Sequence, residues 1–189
     1  MARGRDSHLL GIRATRRRAS AYPLLFAAAL TLLAPAVPAM TPPEIVAADD
    51  AFAQLSRLVG TWRPADAPDS ALRVIFSLTA GGTVLVESWE RRGKPHSLTL
   101  YHRDGPALLA THYCPQGNQP RLALAGRDAD GLHFTFRDAT DLDPATESHQ
   151  HDLWLDLTEP ERLVRSEVDH AKEGPQPRER LSLMRDTGR

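Results

Sequence analysis

Between Leu72 and Arg185 apolar residues recur at every second position, as in Leu72-x-Val74-x-Phe76 and Leu153-x-Leu155, and turn-forming residues interrupt the pattern at regular intervals. Alternation of this kind marks strands with one buried face. It predicts strands near 60–64, 72–78, 83–90, 97–103, 107–114, 121–126, 132–137, 150–157, 162–169 and 178–185. Turns fall at 79–82, 92–95, 103–105, 127–131 and 159–160. Most of these connections have hairpin length, so the sheet is a meander. Left open, a meander of this size would expose two long edges, and closure removes them. The expected fold is all-β: one up-and-down antiparallel barrel of about 8–10 strands. A single helix is predicted, about Asp49 to Leu58, where Phe52, Leu55 and Leu58 share a face suited to capping one end of the barrel. Asp49 and Asp50 stand at its start, where carboxylates complement free backbone N–H groups and the helix dipole.

The N-terminus has a different character. Arg13, Arg16, Arg17 and Arg18 precede an apolar run from Leu24 to Leu33, followed by small residues ending in Val37-Pro38-Ala39. This order predicts a signal peptide over residues 1–39, cleaved after Ala39, then a flexible lead-in over 40–48 and the barrel domain over 49–187. The run is about half the length of a membrane-spanning helix, and no second one follows. No transmembrane segment is expected after cleavage, and the protein is expected to be exported, periplasmic or secreted. Thr15-Arg16-Arg17 hints at a twin-arginine signal, but Ala19-Ser20-Ala21 stands where an apolar pair is expected, which favours the general route.

Removing residues 1–39 takes six of the 23 Lys and Arg and one of the 24 Asp and Glu, leaving 17 against 23 and a net charge of −6. An acidic chain with dispersed cations lacks the electrostatic footprint of nucleic-acid binding, and no nucleic-acid partner is expected. Cys114 is the lone cysteine, so no intrachain disulfide forms. Oligomeric state is not readable from the chain.

A helix, then Gly60-x-Trp62 on the first strand, then an up-and-down barrel resembles the calycin arrangement of lipocalins, fatty-acid-binding proteins and nitrobindin-like proteins. The resemblance implies structural roles for Gly60 and Trp62, and a basic residue of the last strand covering the Trp. Arg185 is the candidate and Arg180 the reserve. Further segments are Gly81-Gly82…Glu87-Ser88-Trp89, Leu100-Tyr101-His102-x-Asp104-Gly105, Thr111-His112-Tyr113-Cys114-x-x-Gly117-Asn118-Gln119-Pro120-Arg121, Phe134-x-Phe136 and His149-x-His151. Together they resemble a family of small exported bacterial proteins, a likeness that supports the fold and leaves activity open.

Candidate chemistry centres on the Thr111–Arg121 run. Alternation puts His112 and Cys114 on one strand face, while Asn118, Gln119 and Arg121 offer amides and a charged fork for the polar end of an amphiphilic ligand. The competing reading has both amides satisfying a wide turn, Cys114 as a small hydrophobe and Arg121 paired with an acid. Glu87 shares a face with Trp89, and Tyr101 with Thr99, so neighbouring strands can bring the carboxylate and the phenol together as an acid–base element or a satisfied polar pair. His149-x-His151 places two imidazoles on one face. With His112 and Cys114 they could complete a zinc or copper set, but spacing alone does not establish one, and no metal is assigned. Haem is not favoured either: nitrobindin-like barrels hold it through a His near the C-terminal strand, which here has none, and His170 lies in the preceding loop.

The function expected is binding of a small hydrophobic or amphiphilic molecule in the barrel interior, its identity unknown and no cofactor named. The ligand-contact candidates are Glu87, Tyr101, His112, Cys114, Asn118, Gln119, Arg121, His149 and His151. One alternative is a small acid–base lyase, isomerase or hydrolase using Glu87, Tyr101 or His112. Another is a structural or interaction protein with a filled barrel.

Overall fold

The structure, a computed structural model, describes residues 44–188; the expected signal peptide and its cleavage site lie outside them. One α-helix, α1 (Ala48–Ser56), precedes β1 (Gly60–Pro64), β2 (Leu72–Thr79), β3 (Val84–Arg91), β4 (Lys94–Asp104), β5 (Ala107–Tyr113), β6 (Gln119–Asp128), β7 (Gly131–Thr140), β8 (His149–Asp156), β9 (Arg162–Ala171), β10 (Gly174–Pro175) and β11 (Glu179–Arg185). Consecutive strands pair antiparallel from β1 through β9, β11 returns beside β9, and β1 pairs with β11 to close the ring. Ten strands thus form one closed antiparallel barrel, as the alternation predicts. The two-residue β10 is a short flap on the edge of β9 that the pattern does not announce.

The pleat sets the interior. Trp62, Val74, Phe76, Leu85, Tyr101, Leu122, Leu132, Phe134, Leu153, Leu155, Leu163 and Leu183 are fully buried or nearly so and pack in one cluster. Because side chains alternate across a strand, these positions leave the intervening residues facing outward. α1 lays Phe52 and Leu55 onto the same cluster, with Leu58 just beyond its end. Its acidic first turn makes no side-chain capping bond; Asp49 instead pairs with Arg103 of β4, whose guanidinium lies 5.9 Å from the Phe52 ring centre. Among the described residues no helix is long and apolar enough to cross a membrane.

The helix end of the barrel is sealed by Trp62 and Arg185. These two are register partners on β1 and β11. The Arg185 guanidinium lies 4.5 Å from the centre of the fully buried Trp62 ring. It also donates to the carbonyls of Val59 (2.9 Å) and Arg57 (3.0 Å), while the indole Nε1 donates to Leu58 O at 2.8 Å. One cation therefore satisfies carbonyls left free where α1 ends and covers the aromatic face beneath them. A Cβ on Gly60 would come within 2.8 Å of the same guanidinium, so the glycine permits the approach.

Candidate ligand-binding site

The end opposite α1 is open. β3 carries Leu85, Glu87, Trp89 and Arg91 up one wall, and β9 carries Leu163, Arg165, Glu167 and Asp169 up another, so each wall turns from apolar to polar along its length. Above the packed half lies a cavity of about 460 Å³, bordered by Leu72, Trp89, Arg91, His96, Ser97, His112, Cys114, Pro115, Gln116, His149, Gln150, Arg165, Glu167, Asp169, Glu179, Arg180 and Leu181.

Its floor is a buried ion cluster. The Glu87 carboxylate, fully buried, accepts from Tyr101 Oη at 2.5 Å, Trp89 Nε1 at 2.6 Å and Arg165 Nε at 2.9 Å. Arg165 donates through Nη1 to Glu167 at 2.7 Å, and Gln150 Nε2 donates to the same Glu167 oxygen at 2.5 Å. The Arg165 guanidinium lies 5.0 Å from the Trp89 ring centre. Buried charges persist only when paired and hydrogen-bonded, and here both conditions hold. Burial works against the Arg165 cation, but Glu167 and Glu87 outweigh it and hold the group firmly protonated. Burial likewise opposes the Glu167 anion, and Arg165 overcomes it, lowering its pKa. Burial, reinforced by Glu87, pushes the Tyr101 phenol well above its usual range, so the hydroxyl stays a donor.

Higher on the wall, His112 Nδ1 lies 3.0 Å from Thr99 Oγ1. Burial, then the nearby Arg165 cation, lowers the His112 pKa to about 4, so its ring is neutral at pH 7. The Asp169 carboxyl is pushed above the ordinary carboxylate range, up to about 6, by burial and by the neighbouring Glu167 and Glu179. Gln150 Oε1, also at the cavity wall, is buried without a hydrogen-bond partner among the described residues. Such an orphaned acceptor is uncommon and calls for a donor.

The sequence candidates divide into groups. His112, Cys114 and His149 border the cavity, whereas Glu87 and Tyr101 lie beneath its lining, tied to it through Arg165. Asn118 is buried in the β5–β6 turn, where its backbone O accepts from Cys114 N and its Nδ2 donates to Ser148 O at 3.0 Å; its Oδ1 has no partner among the described residues. Gln119 donates to Gly117 O, and Arg121 pairs with Asp138. Both border a separate surface depression with Tyr113 and Arg137, so they do not converge with His112 on one wall. His151 lies against Phe136 and His170, at the side of the cavity mouth. Alternation alone did not single out Arg165, Glu167, Gln150 and Asp169. The signal was present in Leu163-x-Arg165-x-Glu167-x-Asp169, a charged series in phase with a buried leucine.

The geometry defines a closed barrel with one filled half and one charged, open half. No protein-family model matches the chain, and no curated protein matches it.

Proposed function

We propose that this protein binds a small, partly apolar molecule in the open half of the barrel, its polar end against Gln150, Arg165 and His112 and its apolar part against Trp89, Pro115 and Leu181. The observation that carries the reading is the orphaned Gln150 Oε1 beside a cavity large enough for a small organic ligand. A fixed ion cluster costs little to reorganise when a ligand arrives, which favours recognition. Glu87 and Tyr101 are committed to each other and to Arg165 and do not border the cavity, so an acid–base role there would fall to His112.

The family reading is part of the same proposal. A buried Trp62 under Arg185 at the closed end supports membership of the calycin group. The acidic balance of residues 40–189 argues against nucleic acid, and the basic then apolar leader supports export. N-terminal sequencing of protein from its own source should begin near Met40; a chain retaining Met1 would refute export.

Native mass spectrometry of the protein purified from that source tests the binding. The expected result is a non-covalent adduct of small-molecule mass, abolished by Leu181→Trp, which fills the cavity, with the melting temperature preserved. A bare mass in the unaltered protein, or an adduct indifferent to the filled cavity, would overturn the reading.

A further inference from the structure

A second cluster lies in the β8–β9 ladder beside the cavity mouth. Gln150 pairs with Asp169 and Asp152 with Val168, so His151 is an extra residue in a bulge with no partner across the ladder. β9 sets His170 directly opposite His149. The His151 and His170 rings stack, with centres 3.6 Å apart and planes 9° from parallel, and the His149 ring centre lies 5.9 and 6.1 Å from them. Asp152 joins from the same bulge: its Oδ2 is 2.9 Å from His151 Nδ1 and its Oδ1 is 2.8 Å from His133 Nε2. One ligand atom from each of His151, Asp152 and His170 lies within 4.8 Å of the other two. His149 Nδ1 is buried and unpartnered among the described residues.

We propose that His151, Asp152 and His170 bind a divalent transition-metal ion of the zinc or copper type, with His149 as the fourth ligand. Imidazole nitrogens with one carboxylate oxygen suit these ions, whereas calcium and magnesium take oxygen shells. Tetrahedral bonds of about 2.0–2.1 Å place ligand atoms about 3.4 Å apart. His151 Nδ1 and Asp152 Oδ2 need only part slightly to admit the ion in place of the proton between them, and that proton moves to His151 Nε2. Parallel rings aim their lone pairs side by side, so His170 must tilt out of its stack on His151, and His149, which lies outside the set within 4.8 Å, must turn in as well; both stand near the ends of their strands. His133 stands behind Asp152 and fixes the carboxylate, as outer-shell partners do at metal sites. Phe136 packs at 5.4 Å from His151 and 4.7 Å from His149, giving the cluster an apolar side. Ring stacking alone accounts for His151 and His170 and leaves the His149 nitrogen without a role; an ion engages all three. Bulges re-aim side chains, and this one brings His151 to its neighbours. His151, Asp152 and His170 stand outside the cavity lining and His149 borders it, so the ion would sit beside the cavity mouth, with three of its four ligands out of reach of the cavity ligand.

Calorimetric titration of tag-free, chelator-treated protein with zinc alone tests the proposal. We expect about one equivalent bound with micromolar or tighter affinity, weakened on the order of 100-fold in the His151→Ala, His170→Ala double variant and unchanged in His102→Ala. Copper(II) added to the unaltered protein should show nitrogen hyperfine structure from at least two imidazoles in its electron paramagnetic resonance spectrum, a readout that needs no variant to fold. Absence of heat with zinc and of nitrogen coupling with copper, several weak equivalents in place of one, or full affinity in the double variant would each overturn the site.

Discussion

Glu87 and Arg165 form the most deeply buried charge pair among the described residues, with side chains essentially removed from water. Removing one partner of such a pair strands the other, so Glu87→Gln is expected to cost about 3–5 kcal/mol in urea unfolding. A loss below 1 kcal/mol would mean that water reaches the cluster. Asp169 gives a pH-dependent prediction. Its pKa of about 6 exceeds the ordinary 3.8, so between those values the folded chain keeps a proton that the unfolded chain has released. Stability from this group therefore falls as pH rises through the window and is fully lost above about 6. His112 acts in the reverse sense: between 6.5 and about 4 the unfolded chain takes up a proton that the folded chain refuses, so stability falls on acidification. Asp169→Asn should raise the melting temperature above pH 6 and leave it nearly unchanged below 3.8; an equal gain at both extremes would refute the assigned burial. Much of this chemistry was only half legible beforehand. Alternation and strand adjacency were enough to bring Glu87 to Tyr101, but the cation that pairs with Glu87 arrives from 78 residues away, a distance over which period-two patterning is silent.

Strand positions were readable because each carries its own apolar phase and its own turn, and the helix because Phe52, Leu55 and Leu58 share one face. What could not be read were irregularities: β10, and the register shifts at Gln150/Asp152 and Leu124/Gly126, which depend on what the neighbouring strand offers. Asn118 closes a turn whose ends are joined by the Cys114 N to Asn118 O bond, and Gln119 opens β6, which runs back along β5. Across that turn Arg121 pairs with Thr111 and so shares the face of Thr111 and Tyr113, opposite to His112, a register that no single-strand pattern contains. At this scale Gly131 is the most exacting position, because it has φ of +109° and a Cβ there would lie 2.2 Å from Leu155 O. Gly131→Ala should destabilise the barrel by roughly 3 kcal/mol or more; an alanine variant of normal stability would show that the β7–β8 ladder yields easily. Arg185→Ala should uncover Trp62 and orphan two carbonyls, costing about 2–4 kcal/mol and shifting indole emission toward the red. Unchanged emission would refute the covering role.

For the molecule as a whole, the ring is closed by its first and last strands. A chain ending before Glu179 would lack β11 and present the edges of both β1 and β9. Unpaired edges template intermolecular pairing, so this truncation should aggregate where the intact protein stays monodisperse by light scattering; a stable, dispersed truncated chain would show that closure is dispensable. The Arg185 contact spans 126 residues back to Val59. During vectorial synthesis, Trp62 leaves the ribosome long before the side chain that will cover it exists, and the tenth staple of the ring is the last to be made. Until then the nascent chain has no sealed end and no complete interior. A polypeptide built this way is a ribbon with two loose margins for most of its production, and becomes a container only when Arg185 settles over Trp62.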